Sequence, residues 1–240
     1  MARPFEPSAR AISSIPVSSN EGAWEREALR LYQRYEIEIV EACGLCPWAE
    51  RARLEGRVLP RVVLAEGDAA VGAAVAAMAE IEREPRIEVA LLVFPRIGLD
   101  RSAFQSFMER VRDADASRHE LGTVPFVMAA FHPDAPADLS HPERLIPFLR
   151  RTPDPTIQLL RADVLDRVRG RVSQGTQFFD VEQLDFLAKP GGEAVVPLRE
   201  RIARVNLSTV ERLGVEEMDR RLQDIQRDRE RSYLALRTPT

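Results

Sequence analysis

The chain has 240 residues, 45% of them apolar, with two cysteines and a formal net charge of −4. That suits one well-buried domain with extensions. It gives no electrostatic case for a nucleic-acid partner, no run long enough to cross a membrane and too few cysteines for a disulfide scaffold, so a reducing, cytoplasmic home is expected.

Residues 1–20 are polar and proline-containing, without an apolar period, and read as a flexible lead-in. Ala28, Leu31, Tyr32, Tyr35, Ile39 and Ala42 then recur at helical spacing, which predicts a helix from Trp24 to about Cys43 with one buried face. Gly44 is placed to end it, because glycine takes the left-handed C-terminal cap without penalty. Pro47 suits the first position of a new short helix, Pro47 to about Leu54. Cys46 is then its N-cap, facing free amides and the positive helix end, and both effects lower a thiol pKa.

Arg61–Ala65 reads as the first strand, and Val71, Ala74, Val75, Met78 and Ile81 mark a helix that stops before Pro85. The segments 87–94 and 126–131 are almost wholly apolar, so both are expected as adjacent central strands. Between them Phe104, Phe107, Met108 and Val111 mark a helix capped by Asp100 or Ser102. A proline-rich loop, a short helix near Glu143 to Leu149 and a fourth strand, Thr156–Arg161, follow, and a helix is expected over Asp163 to Arg171. Residues 172–198 read as loop. From Leu198 the tail is helical, with Met218, Leu222 and Ile225 as its apolar seam.

Strands alternating with helices predict an α/β fold: a single core domain over 21–172, with a largely parallel sheet of about four strands flanked by helices. Residues 173–240 form a loop and a C-terminal helical extension packing on that core.

Cys46 is the candidate nucleophile or redox centre. His132 closes a buried strand, where open α/β sheets place ligands, and is the candidate acid or base. Arg151, in the proline-fixed loop Arg150–Pro155, and Arg161 form a candidate clamp for a carboxylate or phosphate, with Gln158 beside them. Arginine is the default cation here, since Lys189 is the only lysine, and this weakens inferences from arginine clusters. Cys-x-x-Cys follows a helix rather than a strand, which argues against a thioredoxin-type motif. No Walker loop, dinucleotide fingerprint or nucleophile elbow occurs. A zinc site from Cys43, Cys46, His132 and a second histidine lacks another short-spaced ligand pair, so no metal and no cofactor are expected.

Four segments carry a resemblance: Gly44-Leu45-Cys46-Pro47-Trp48-Ala49, Leu91-Leu92-Val93-Phe94-Pro95, Phe131-His132-Pro133, and Arg151-Thr152-Pro153-Asp154-Pro155-Thr156-Ile157-Gln158-Leu159-Leu160-Arg161. In that order they resemble the uncharacterised bacterial family called domain of unknown function fourteen-fifteen. The resemblance implies that Cys46, Pro47, His132, Pro133, Arg151, Pro153 and Arg161 are family-typical. It gives no support to Cys43. The sequence departs from the family pattern with Trp48 for Phe, Thr152 for Ser and Gln158 for His, and the resemblance implies no activity. The leading expectation is an enzyme acting on a small anionic metabolite through Cys46 and His132. The alternatives are a non-enzymatic small-molecule-binding module and a structural or partner-binding protein.

Overall fold

The structure is a computed structural model that describes residues 19–120, 124–165 and 198–237. The chain opens with α1 (Ser19–Tyr35), continued by a π-helical turn (Glu36–Glu41). Then come α2 (Ala49–Leu54), β1 (Val58–Val62), α3 (Ala69–Glu82), β2 (Val89–Val93), α4 (Arg101–Ala116) and β3 (Phe126–Phe131). They are followed by α5 (Pro142–Leu149), β4 (Thr156–Arg161), α6 (Leu198–Leu213) and α7 (Val215–Arg237). Residues 162–165 are helical. The rest of the helix expected to Arg171 lies outside the described residues, as do the loop 172–197 and residues 1–18.

Local signals explain most boundaries. Asp100 caps α4, its Oδ1 accepting from the Ala103 amide at 2.8 Å, and His141 caps α5 through Nδ1. Gly44, at φ +63°, closes the first helix: its amide donates to the Glu41 carbonyl while Leu45 donates to Val40, which satisfies two terminal carbonyls. Several boundaries differ: α1 starts at Ser19, within the expected lead-in, rather than at Trp24, and α2 starts at Ala49 rather than Pro47, with Trp48 and not Cys46 at its N-cap. β1 begins three residues earlier than the β-branched run suggests and includes Pro60, which an edge strand tolerates because one side of its backbone has no partner.

The sheet order is β1-β2-β4-β3. Only β1 and β2 pair in parallel; β4 inserts between β2 and β3 and runs antiparallel to both. The expected largely parallel sheet is therefore corrected to a mixed one. The helix–strand alternation predicts that crossovers exist, but it cannot show that the last strand returns into the gap. For the same reason β2 and β3 are not neighbours and β3 is an edge strand, with Val127 47% exposed. Its apolar run reflects a well-covered inner face rather than a central place.

Side-chain alternation along the strands divides the core in two. Ala90, Leu92, Phe94, Phe126, Ile157 and Leu159 pack with α3 and α4 on one face. Leu91 and Val93 face the other layer, where they meet α1, α5, α6 and α7 through Leu31, Ile39, Phe148, Val210, Met218 and Leu222.

Candidate functional site

The π-helical turn sets the neighbourhood of Cys46. A π turn holds more residues per turn than an α-helix. The buried stripe therefore passes from Ile39 to Cys43, leaving Ala42 exposed where regular spacing would bury it. After Gly44 the chain reverses, and the Cys46 sulfur accepts hydrogen bonds from the amides of Trp48 and Ala49. The expected capping arrangement is not formed, because α2 starts at Ala49 with Trp48 at its N-cap and no side-chain cap; the effect on the thiol is also opposite to expectation, since burial pushes its pKa up and the two amides offset only part of this. The polar side chains that sense its charge are Tyr32 and Tyr35, two phenols whose own pKa values burial drives up. Neither is a base for a thiol. Tyr35 donates to the Leu149 carbonyl at 2.6 Å. Cys43 is buried and faces Arg221 at 3.8 Å; burial raises its thiol too.

Glu36, on the π-helical turn, is 8% exposed. Burial, then the charge of Glu41, push its carboxyl up to about 7, against the pull of Arg53.

His132 lies in the other layer. Its ring sits 5.9 Å from Phe104, and both nitrogens are occupied. Nδ1 accepts from the Asp134 amide at 3.2 Å and Nε2 faces the Leu99 carbonyl at 3.0 Å, so the neutral Nε2–H tautomer satisfies both contacts. Cys46 and His132 thus belong to opposite faces of the sheet, and the structure does not bring them together.

The two arginines are committed to architecture. Arg161 donates Nε to the Ile87 carbonyl at 2.5 Å and Nη2 to the carbonyls of Ile81, Glu82 and Glu84, closing the C-terminus of α3. Arg151 donates to the Pro133 carbonyl at 2.7 Å and pairs with Asp219 of α7. Gln158, paired with Leu91 and Ala129 across the sheet, is half-buried on the face that also carries α1.

The loop 151–155 is a socket for α7. Asp154 is 1% exposed; its two oxygens accept from Arg229 Nε and the Tyr233 hydroxyl, both at 2.6 Å. Thr152 and Thr156 both donate to its carbonyl, and Gln226 donates to the carbonyls of Thr152 and Pro153. The prolines fix the loop, and α7 supplies the partners of the Asp154 carboxylate and of the Thr152 and Pro153 carbonyls.

Beside that socket is a feature the sequence reading missed. Trp24 packs against Tyr233 with ring centroids 4.5 Å apart and the planes tilted by 37°. Arg96 lies over the Trp24 ring at 4.8 Å and Arg237 at 5.8 Å. Trp24, Arg96 and Arg237 line a groove of about 370 Å³ with Asn20, Glu66 and Leu236. Among the described residues, Arg96, Arg237 and Glu66 make no ion pair and no hydrogen bond. Glu66 follows β1 and Arg96 follows β2, so the groove lies past the carboxyl ends of the one parallel strand pair, the place where open α/β sheets put ligands. That rule pointed to His132; applied to the strand 87–94 it also points to Arg96. Nothing in the sequence shows that Trp24 and Arg237 join it there.

Among the described residues, no group of three or more His, Cys, Asp or Glu could hold a metal ion, and no helix is long and apolar enough to cross a membrane.

The architecture is a mixed α/β sheet layered with helices on both faces. The family model described as a protein of unknown function (DUF1415) matches residues 31–183, more than half of the chain, and the chain belongs to that family. No curated protein matches it, and no solved structure does.

Proposed function

We propose that the protein is a binding module for a small anionic molecule, held in the groove between Trp24, Arg96 and Arg237. The observation that carries this reading is two guanidinium groups against one aromatic ring, that of Trp24, with no carboxylate partner among the described residues. The adjacent ring supplies the comparison: Arg229 lies over Tyr233 at 4.9 Å and has Asp154 as its anion. A ligand oxyanion would be to Arg96 and Arg237 what Asp154 is to Arg229. Guanidinium groups are the strongest side-chain donors for such an ion, since each presents paired N–H groups.

The enzyme reading through Cys46 has less support. A nucleophilic thiol needs a lowered pKa or an adjacent base. Cys46 has a raised pKa and phenols for neighbours, and His132 belongs to the other layer. The anion clamp proposed from sequence loses Arg151 and Arg161 to internal contacts.

Trp24 is a built-in reporter, because both cations lie against its ring. In a Trp48→Phe background it is the sole tryptophan, and titration with inorganic phosphate should change its emission saturably. An unchanged emission, with no shift in melting temperature, would remove the anion-binding reading. Iodoacetamide labelling decides the other branch: Cys46 should react more slowly than a free thiol at pH 7.5. Fast labelling at pH 6 would restore the nucleophile.

A further inference from the structure

The groove contains a charge of the opposite sign, and this narrows the ligand. Glu66 lines it from the loop after β1, Arg96 from the loop after β2, and Arg237 from the end of α7. Glu66 is exposed and, among the described residues, has no partner. The two nearest cations in the groove would be natural ones, yet neither comes within ion-pair distance. Elsewhere in the chain neighbouring opposite charges do meet: Arg34 pairs with Glu38, Asp224 and Asp228, and Arg57 with Glu55 and Glu88. Opposite charges that share a groove without meeting leave room between them for a molecule that satisfies both.

We infer that the groove binds a small water-soluble zwitterion, its oxyanion on Arg96 and Arg237 and its ammonium group on Glu66. This deepens the anion-binding reading and rests on it. Trp24 and Leu236 give the groove an apolar lining, so a short aliphatic spacer between the two charges fits it. Asn20 adds an amide that can donate to the oxyanion. The volume limits the ligand to something of metabolite size. The site is assembled from α1, two strand-end loops and the last turn of α7, so occupancy also ties the C-terminal helix to the sheet.

The test uses a matched pair of probes on the full chain, O-phosphoethanolamine and ethyl phosphate, which differ in the ammonium group. Affinity is read by Trp24 fluorescence in the Trp48→Phe background and by calorimetry. The wild-type groove should prefer phosphoethanolamine by about tenfold, the size expected of one charge-assisted hydrogen bond. Glu66→Gln should erase that preference and leave ethyl phosphate unchanged; the position is exposed, so the variant should fold. Arg96→Gln should weaken both probes by about tenfold. Arg237→Gln should act in the same direction and, being exposed, checks that any loss at Arg96 is not unfolding. Equal affinity for the two probes, or a preference that survives Glu66→Gln, would overturn the zwitterion and leave anion binding standing. Failure of both probes and of inorganic phosphate would take down the anion-binding reading itself. Retention on phosphatidylethanolamine vesicles without affinity for free phosphoethanolamine would also overturn a soluble ligand.

Discussion

Two neighbouring aromatic rings, 4.5 Å apart, show how the same chemistry serves two purposes. Tyr233 carries Arg229, and the pair closes on Asp154, which is 1% exposed. Trp24 carries Arg96 and Arg237, and among the described residues nothing closes on them. The first arrangement spends its charges on holding α7 to the loop 151–155. The second leaves its charges to solvent, or to a ligand. Whether an arginine on an aromatic ring is structural or available is decided by its anion, and the anion comes from a distant part of the chain.

The largest expected effect tests the committed side. Asp154→Ala leaves Arg229 and the Tyr233 hydroxyl without their acceptor inside the junction, and removing one partner of a buried pair costs roughly 3–5 kcal/mol. Urea denaturation should show that loss; a drop below about 1 kcal/mol would mean that α7 is held by its apolar seam alone. Next comes Arg161→Ala, which exposes the carbonyl end of α3. Losing several charge-assisted bonds to carbonyls should cost about 2–3 kcal/mol, with amide exchange accelerating first at residues 81–87.

Glu36 gives a smaller, pH-dependent effect. Its folded pKa, about 7, stands above the unfolded carboxyl value, so the folded chain binds the extra proton. The associated stability is fully present below the unfolded pKa and is lost as pH rises through about 7. Glu36→Gln should therefore gain stability relative to wild type between pH 5 and pH 8, by up to about 2 kcal/mol once partial solvent access is allowed for. A difference that does not change with pH would show an ordinary surface carboxyl. The smallest effect belongs to the uncommitted side. Arg96→Gln and Arg237→Gln without ligand should shift stability by no more than about 0.5 kcal/mol, and a cost like that of Asp154→Ala would end the contrast between the two rings.

The sequence made local structure legible where a single residue decides it. Asp100, Gly44 and the strands 126–131 and 156–161 lie where their chemistry puts them. Strand order was not legible, because insertion of β4 between β2 and β3 depends on long-range pairing such as Leu91 with Gln158. The site was legible only as a set of polar residues near proline turns. Arg161 looks the same in sequence whether it clamps a ligand or closes a helix. What distinguishes the two is the run of carbonyls at 81–87, brought to it by the fold. Cys46 shows a related limit: Gly44 and Pro47 suggest a helix start, but the helix begins two residues later, at Ala49, and the sign of the thiol's pKa shift follows from burial, which spacing does not reveal.

The π-helical turn at Glu36–Glu41 has a consequence for length variation in this part of the chain. Each residue of a regular helix advances about 100° around its axis, so the wide turn works as an angular spacer between α1 and the Cys43–Cys46 reversal. Deleting one residue from it should let the segment relax to ordinary α pitch while rotating everything after it by about that angle. Cys43 would swing toward solvent, and Gly44 would no longer meet the carbonyls of Val40 and Glu41 that it and Leu45 now satisfy. This segment should therefore accept many substitutions that preserve its length, yet reject a one-residue deletion, even though most loops on the surface accept both.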